Sequence, residues 1–256
     1  MPTVINEIKQ KANSDKAKIL ARFFKTGKGE YGEGDLFLGI TVPVSRMIAK
    51  KYTDLPLKEI QKLLQNKYHE VRLIALLILV QKYRQIDIGV SAKQGLAKKK
   101  EIVDFYLKNT KYINNWDLVD LSAHYIVGDY LYSRTILKKT SQGNILIKLA
   151  KSKNLWEKRI SIISTFAFIY KGESKLTLEI VKILMKDQHD LIHKACGWML
   201  REVGKRVDEK DLTSFLDRYK SQMPRTMLRY AIEKFEENKR IQYLKRSSVV
   251  NNTLKI

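Results

Sequence analysis

The sequence predicts an all-α protein, an α-solenoid of helical repeats with a basic concave groove. Three observations support this fold class. Apolar residues recur at helical spacing in most windows, and strand-like alternation does not persist anywhere. Only 12 Gly and 4 Pro interrupt the 256 residues, so breaks are few. The helical segments are separated by short polar turns, as in stacked helix pairs.

Ten windows carry the helical pattern. In chain order they are Leu57–Leu64, Val71–Tyr83, Lys99–Leu107, Trp116–Leu131, Gly143–Ala150, Trp156–Tyr170, Leu176–Met185, Leu191–Gly204, Leu212–Tyr219 and Arg225–Phe235. Before them, the glycine-rich segment Gly27–Gly34 predicts a flexible loop that lies near the bound partner. After them, the periodicity is lost. We therefore expect a single repeat domain over residues 1–238 and a flexible C-terminal tail over residues 239–256.

The second helices of the proposed pairs can be aligned in one register. Each follows a short polar break, and the aligned positions are Arg72, Asp120, Arg159, Lys194 and Arg229. The steps between them are about 35–48 residues, which is typical of two-helix repeats of the HEAT or armadillo type. An irregular all-helical bundle is the alternative interpretation.

Charge indicates the class of partner. Lys and Arg number 49 against 27 Asp and Glu, a formal net charge of +22. A protein this basic is expected to meet a polyanion, and nucleic acid is the leading candidate. The longest apolar run, Leu73–Val80, is far shorter than the roughly 18–20 residues of a membrane span. The N-terminus lacks the apolar region of a signal peptide. We expect a cytoplasmic monomer, associated with the nucleoid when it binds DNA, and no membrane contact.

Metal and cofactor sites are not expected. Cys196 is the only cysteine, which excludes a multi-cysteine zinc site, and we expect it in the core. His189 and His193 have the spacing of a zinc pair but no third ligand nearby. The loop Gly27–Gly34 does not end in the G-K-[ST] sequence of a phosphate-binding loop, and no strand is predicted before it.

One acid stands out in the aligned register. Arg72, Arg159, Lys194 and Arg229 would form a basic row suited to DNA phosphates. The fifth position is Asp120, and a carboxylate beside a phosphate backbone costs affinity unless it has another task.

Tryptophans surround this row. Trp116 precedes Asp120 by four residues and shares its helical face, and Trp198 follows Lys194 by four. Indole faces can stack on bases or attract cations. The alternatives are structural: core packing for the tryptophans, Trp156 above all, and an ion pair or a place in the first helical turn for Asp120.

Five segments carry a resemblance to a known family. They are ARFFK, FLGI-x-x-P-x-x-R from Phe37 to Arg46, NNWDLVD from Asn114 to Asp120, NLWEKRISI from Asn154 to Ile162, and IHKACGWMLREVGK from Ile192 to Lys205. In this order, over about residues 15–235, the chain resembles the DNA alkylation repair family of DNA glycosylases. The resemblance implies a HEAT-like solenoid that grips duplex DNA. It also implies hydrolysis of the N-glycosidic bond of cationic N3- and N7-alkylpurines, with the lesion largely stacked rather than flipped into a pocket.

The resemblance also implies roles for individual residues. Asp120 matches the catalytic aspartate, and Trp116 and Trp198 match the two tryptophans that flank the lesion. Arg159 matches an arginine near the DNA backbone, and Arg201 is a further backbone contact. A family tyrosine falls around Phe23 or Phe24, so its hydroxyl is lost here.

The chemistry fits these residue types. An alkylated purine is already cationic, so its bond to C1′ is weakened without an acid. The sugar then develops oxocarbenium character. One carboxylate can stabilise that charge and orient a water, and each indole face adds about 0.5–2 kcal/mol of cation–π attraction. The same logic predicts poor cleavage of neutral lesions.

Neighbouring residues are expected to be structural. We assign Asp117 to a structural contact such as an arginine, Glu202 to an ion pair, and His124 to a structural role close to Asp120. Two other functions remain open at this point. One is a non-catalytic DNA-binding HEAT-repeat protein, and the other is a scaffold that binds an acidic protein.

Overall fold

The computed structural model describes residues 3–86, 91–136 and 144–245. Within these ranges every regular element is a helix, apart from one isolated bridge between Leu36 and Tyr68, so the predicted all-α class is confirmed. No helix in the described part is long and apolar enough to span a membrane. The chain divides into two compact units, Met1–Gln142 and Gly143–Ile256.

The first unit contains eight described α-helices. They are α1 (Val4–Gln10), α2 (Ser14–Phe23), α3 (Val42–Lys51), α4 (Leu57–Leu64), α5 (His69–Gln85), α6 (Ala92–Lys108), α7 (Trp116–Asp120) and α8 (Asp129–Ile136). A 3₁₀ turn at Thr110–Tyr112 precedes α7, and a π-helical turn at His124–Gly128 precedes α8. Their order brings the NNWDLVD segment between α6 and α8.

The second unit also contains eight described α-helices. They are α9 (Asn144–Ala150), α10 (Leu155–Ser164), α11 (Phe166–Ile169), α12 (Lys175–Leu184), α13 (Asp190–Arg206), α14 (Glu209–Tyr219), α15 (Arg225–Ala231) and α16 (Glu237–Leu244). Helix α13 lies at the centre and contacts α10, α11, α12, α14 and α15.

The core of the first unit is α5. Its apolar run Leu73–Val80 is buried at every position, because α3, α4, α6 and α7 all pack against it. A helix that is apolar on all sides belongs inside a domain rather than on its surface. The eight-residue run that was too short for a membrane is therefore a core helix.

In the second unit, α13 and α15 approach each other closely at Gly197. A Cβ atom placed on Gly197 would lie 2.5 Å from the carbonyl oxygen of Met227 and 2.5 Å from Cβ of Tyr230. Glycine is thus required for the packing of these two helices. The neighbouring Cys196 is fully buried, as predicted, and Trp156 is also a core residue.

The predicted helix Trp116–Leu131 is interrupted. Helix α7 ends at Asp120, and the chain turns through Leu121 before the π-helical turn begins. The Ser122 hydroxyl donates a hydrogen bond to the Leu118 carbonyl, 2.5 Å away, an arrangement that bends helices. The apolar spacing continues through this break, so periodicity did not reveal it.

The predicted tail needs a correction at its start. Residues 237–244 form α16, and its Tyr243 is buried with its hydroxyl donating to Asp217 (3.0 Å). Because the segment is polar and Tyr243 is the buried residue of α16, apolar periodicity does not detect this helix. Residues 246–256, the rest of the predicted tail, lie outside the described residues.

Replacing Gly197 tests the close approach of α13 and α15. Gly197→Ala should lower the free energy of unfolding by about 1–3 kcal/mol, because the added methyl group meets rigid backbone. Gly204→Ala is the matched control. Its Cβ would meet the end of the flexible Leu212 side chain, so its cost should be smaller. Urea denaturation of both variants measures the difference, and equal stabilities would contradict the assigned contact.

Candidate active site

Helix α7 is short, and its position is set by side chains at its start. Asn115 precedes it and caps it, accepting a hydrogen bond from the Trp116 backbone N–H (2.8 Å). The amide of Asn115 also donates to Asp35, 3.4 Å away. A helix of five residues has little stability of its own. These contacts therefore fix where Trp116 and Asp120 lie.

Trp116 joins an aromatic cluster from the loop and helices before α3. Its ring stacks on Phe24, with centroids 5.0 Å apart, and meets Phe23 edge-on at 5.9 Å. Phe24 in turn stacks on Phe37 at 5.1 Å. Phe24 is buried, whereas Phe23 is 58% exposed. At both positions where the resemblance places a tyrosine, this chain thus presents an apolar ring against Trp116.

A cavity of about 480 Å³ lies against this cluster. Its lining is mostly apolar and aromatic, with a few acidic groups. The lining residues are Leu20, Phe23, Phe24, Phe37, Ile40, Thr41, Val42, Pro43, His69, Glu70, Leu73, Trp116, Asp117, Asp120 and Leu121. All belong to the first unit. A cleft of this size and composition is typical of a small-molecule or base-binding site.

Asp120 and Trp116 both line this cavity, as their spacing of four residues predicts. Both side chains are partly buried. The structure therefore brings the predicted carboxylate and the first predicted tryptophan together on one cavity wall. This geometry places a negative charge beside an electron-rich ring, a combination that attracts cations.

A chain of buried charges runs behind the cavity wall. His69 Nδ1 donates to Asp35 Oδ2 (3.1 Å), and His69 Nε2 donates to Asp117 Oδ2 (2.8 Å). Asp35 Oδ1 also accepts from Arg72 Nη2 at 2.6 Å. All four side chains are almost fully buried. The chain ties α5 to α7 and to the loop that contains Asp35.

His69 is held in its charged form. Burial opposes the charge, but the carboxylates of Asp117 and Asp35 outweigh it and raise the pKa of His69 to about 9. Burial also disfavours a charged Asp35, yet its bonds to His69 and the charge of Arg72 keep the pKa of Asp35 below its usual value. An imidazolium between two carboxylates is thus the state of this cluster at neutral pH.

Glu70 holds the loop that faces the cavity. Its carboxylate accepts three backbone hydrogen bonds, from Leu38 N–H (2.9 Å), Gly39 N–H (2.8 Å) and Ile40 N–H (3.1 Å). Gly39 has φ +82°, and a Cβ atom there would lie 2.0 Å from the Asn13 carbonyl oxygen. The FLGI segment is therefore a fixed turn whose geometry requires both the glycine and the buried acid.

The predicted place of Arg72 in an exposed basic row is wrong. Arg72 is only 5% exposed, and its guanidinium donates to Asp35 and to the backbone carbonyls of Asn66 and Lys67. Its position at the start of a buried helix looks the same in the sequence as a position facing a groove. The predicted basic row therefore does not include this residue.

Arg159 also lies inside its unit rather than on a surface row. It is 5% exposed, and Nη1 donates to the Leu191 carbonyl oxygen (2.7 Å). Lys194 is partly exposed and pairs with Asp190 at 2.7 Å, one turn earlier on α13. Arg229 on α15 is exposed. A continuous exposed row of four basic residues is thus not what the structure contains, whereas Lys194 and Arg229 remain accessible.

Trp198 lies on α13 within an ion-pair cluster. Its Nε1 donates to Glu202 Oε1 (3.3 Å), and its ring meets Phe166 edge-on at 5.7 Å. Glu202 also accepts from Arg201 (3.2 Å) and from Arg206 (2.7 Å). Burial opposes the charge on Glu202, but the two arginines lower its pKa. The predicted ion-pair role of Glu202 is confirmed.

Arg201 has two acidic partners in the second unit, Glu202 and Glu233. Its side chain is mostly buried. If Arg201 binds DNA, it would have to use guanidinium N–H groups that are not bonded to these two carboxylates. Because Trp198, Arg201, Lys194 and Arg229 belong to the second unit and Trp116 and Asp120 to the first, each group is placed only within its own unit.

The remaining histidines are structural in the described contacts. Burial and the nearby Arg84 lower the pKa of His124 to about 4, so it is neutral, and its ring is hydrogen-bonded to the Asp120 backbone. His189 caps α13, accepting from Leu191 N–H (3.1 Å). His193 contacts the Asp187 carbonyl oxygen at 2.6 Å. In the described ranges no group of three His, Cys, Asp or Glu side chains could hold a metal ion.

Sequence reasoning missed His69 and Asp35. It assigned Asp117 a structural partner, correctly, but expected arginine rather than histidine. The signal was weak, because Asp35 is 34 residues from His69, and His69 is 48 residues from Asp117. A lone histidine next to an acid at the start of an apolar helix is the only local clue.

The imidazolium of His69 gives the fold a testable pH dependence. The raised pKa means that its stabilising contribution is complete below about pH 6.5 and is lost as the pH rises through about 9. His69→Gln should therefore lower the free energy of unfolding by about 3–5 kcal/mol at pH 6 and by clearly less at pH 10. Denaturant titrations at both pH values measure the two differences.

Ile60→Val is the control for this measurement. It removes one methylene group from a fully buried position of α4 in the same unit and leaves the charges and rings around His69 unchanged. Its deficit should be the same at pH 6 and pH 10. A His69→Gln deficit that is equally independent of pH would show that the buried histidine is not charged.

Comparisons with known proteins agree with this architecture. The sequence model of a family described as DNA alkylation repair enzyme matches residues 4–235. A solved structure described as a predicted DNA alkylation repair enzyme from Enterococcus faecalis aligns with a TM-score of 0.63. The alignment has 15% identity and covers 89% of this chain and 98% of that chain, a likeness of fold. No curated protein sequence matches. Since the family match extends through both units, this chain belongs to the DNA alkylation repair enzyme family.

Proposed function

We propose that this protein is a monofunctional DNA glycosylase that hydrolyses the N-glycosidic bond of cationic N3- and N7-alkylated purines in duplex DNA. The observation that carries the proposal is the Asp120 carboxylate beside Trp116 on the wall of one cavity. Membership of a DNA alkylation repair family makes this an enzyme of repair, with DNA as its partner. The net charge of +22 supplies attraction to the phosphates.

The proposed reaction needs one carboxylate. The bond between C1′ and the purine nitrogen breaks, and its electron pair cancels the positive charge of the alkylated ring. The sugar becomes oxocarbenium-like, and Asp120 stabilises that charge. A water then adds to C1′, and its proton passes to Asp120 or to solvent. The products are a neutral base and an abasic site.

His69 and Asp117 support this role as positioning residues. The His69–Asp117 bond of 2.8 Å anchors the start of α7, and Asp120 stands one turn later on the same short helix. Both N–H groups of the His69 imidazolium donate to carboxylates, one to Asp35 and one to Asp117. Neither is therefore available to form a hydrogen bond with Asp120. We assign Trp198, Lys194, Arg201 and Arg229 to contacts with the sugar and the phosphates, and retain Arg159 as a phosphate contact that would need its side chain to move.

Asp120→Asn tests the carboxylate directly. Excision of N3-methyladenine and N7-methylguanine from methylated duplex DNA should fall by about 10²-fold or more. Affinity for the duplex should stay the same or rise, because a charge that repels phosphate is removed. Release of free base under single-turnover conditions, together with a binding titration, measures both quantities.

Asp104→Asn is the matched control. It removes an exposed carboxylate of the same unit, which is paired with Lys100 at 2.5 Å and is not among the residues that line the cavity. Its excision rate should equal that of the wild type. Unchanged excision in Asp120→Asn would refute the assigned role. If the wild type binds DNA in a salt-dependent way but releases no base, the protein is a non-catalytic DNA-binding member of its family.

Because the proposed mechanism has no general acid, it predicts a narrow substrate range. Hypoxanthine and unmodified guanine are uncharged bases in DNA. Duplexes that contain them should release no base under conditions in which all N7-methylguanine is released. Base release should leave intact strands, since the proposal uses no amine nucleophile. Chromatography of released bases and denaturing gels of the strands test both points. Strand cleavage concurrent with base loss would contradict a monofunctional mechanism.

A further inference from the structure

Trp198 is held on α13 by a hydrogen bond to an acid one turn later. Its indole N–H donates to Glu202 Oε1, 3.3 Å away on the same helix. Phe166 meets the indole ring edge-on, with centroids 5.7 Å apart. Trp198 itself is only partly buried, and a partly exposed side chain has access to several rotamers. These two contacts therefore set the direction in which the indole faces.

Glu202 is held more rigidly than an acid on a protein surface. It is 5% exposed, and its two carboxylate oxygens bind different partners. Oε1 accepts from the Trp198 N–H and from Arg201 Nη2 (3.2 Å), whereas Oε2 accepts from Arg206 Nε (2.7 Å). Burial disfavours the charge, but the bonds from Arg206 and Arg201 keep the pKa of Glu202 below its usual value. The indole N–H therefore binds a charged acceptor, which forms a stronger hydrogen bond than a neutral one.

Arg206 is fixed in its turn by two aromatic rings. Its Cζ atom lies 4.6 Å from the ring centroid of Tyr170 and 5.7 Å from that of Phe166. Phe166 belongs to α11 and is also the ring that meets Trp198. Trp198, Glu202 and Arg206 are spaced four residues apart, so they follow one face of α13. A continuous set of contacts within the second unit thus holds the indole from both ends.

The direction of an indole face matters for the proposed reaction. The attraction between an aromatic ring and a cation acts through the ring face, so it falls when the ring turns away. The sugar gains positive charge only as the bond to the base breaks. A ring face directed at the sugar therefore stabilises the transition state more than the bound substrate. A group that fixes the ring should affect the rate of bond cleavage more than the affinity for DNA.

We propose that Glu202 is a positioning residue, which holds the Trp198 indole in the orientation in which its face meets the sugar of the alkylated nucleotide. The inference rests on the proposed glycosylase function and on the sugar contact assigned there to Trp198, and it deepens that function. Glu202 acts through Trp198 and needs no contact of its own with DNA. Donation of the N–H to an anion also leaves more electron density in the indole ring, which strengthens its attraction for the sugar.

Three substitutions separate this role from that of a simple counterion for the arginines. Glu202→Ala removes the acceptor, whereas Glu202→Gln keeps an oxygen within reach of Trp198 Nε1 but removes the charge. Glu233→Ala is the matched control. It removes the other carboxylate bonded to Arg201, and Glu233 is not among the described partners of Trp198. Thermal denaturation first establishes that each variant is folded.

The indole N–H reports the hydrogen bond without any need for catalysis. The chain has three tryptophans, and the Trp198 signal in a proton–nitrogen correlation NMR spectrum is the one that disappears in Trp198→Phe. This N–H should exchange slowly with solvent in the wild type, in Glu233→Ala and in Glu202→Gln. Exchange should be roughly tenfold faster in Glu202→Ala, because the N–H then loses its acceptor. An exchange rate that Glu202→Ala leaves unchanged would overturn the proposal.

Single-turnover release of N7-methylguanine from methylated duplex DNA measures the effect on the reaction. Glu202→Ala should lower the rate constant about tenfold, the size expected for loss of a cation–π contact. DNA affinity should stay the same or rise, because two arginines lose a counterion. Glu202→Gln should lose only about threefold, since it still orients the ring. Glu233→Ala should match the wild type. A loss confined to affinity, or equal losses in Glu202→Ala and Glu202→Gln, would contradict the positioning role.

A double variant identifies the route by which Glu202 acts. Trp198→Phe keeps a ring but has no N–H to donate. Adding Glu202→Ala to Trp198→Phe should therefore change the rate constant by no more than about twofold. A further loss of about tenfold in that background would show that Glu202 acts through the arginines, and it would refute the proposal.

The wild-type activity separates the two hypotheses. Base release by the wild type that Glu202→Ala does not impair would retain the glycosylase and reject the positioning role. A wild type that binds DNA but releases no base would reject the glycosylase. The role of Glu202 in its rate would then fall with it, even where NMR confirms the hydrogen bond.

Discussion

The arrangement of the candidate site depends on one buried cation, the His69 imidazolium between Asp35 and Asp117. Burying a charge is costly unless partners compensate for it, and here two carboxylates do so from opposite sides of the ring. Because Asp117 belongs to α7, the same interaction orients the five residues that carry Trp116 and Asp120. Arg72 and Asn115 complete the set of side chains that donate hydrogen bonds to Asp35.

The sign of the charge differs between the whole protein and its cavity. A basic protein attracts DNA without regard to sequence, and this attraction acts over the range set by salt. The cavity beside Asp120 is lined by aromatic and acidic side chains, with no lysine or arginine among the described lining residues. Under the proposed function, general attraction to DNA belongs to the basic side chains of the protein, and stabilisation of the reacting sugar belongs to the Asp120 carboxylate.

The sequence predicted the helical class, the helix that contains Leu73–Val80, the core positions of Cys196 and Trp156, and the shared face of Trp116 and Asp120. These features depend on local spacing, which a sequence displays directly. Arg72 was misplaced, because the start of a buried helix and the edge of a groove have the same pattern. His69 and Asp35 were missed, because their partnership joins distant parts of the chain and leaves no periodic trace.

Glu70 occupies a position in this fold that could otherwise bind an anion such as phosphate. Three consecutive backbone N–H groups, from Leu38 to Ile40, converge on one carboxylate. Such a cluster of donors is the kind of concavity that elsewhere captures phosphate or sulfate. In this protein the three N–H groups already bind the Glu70 carboxylate from α5. These three N–H groups are therefore not available to bind a DNA phosphate or free phosphate.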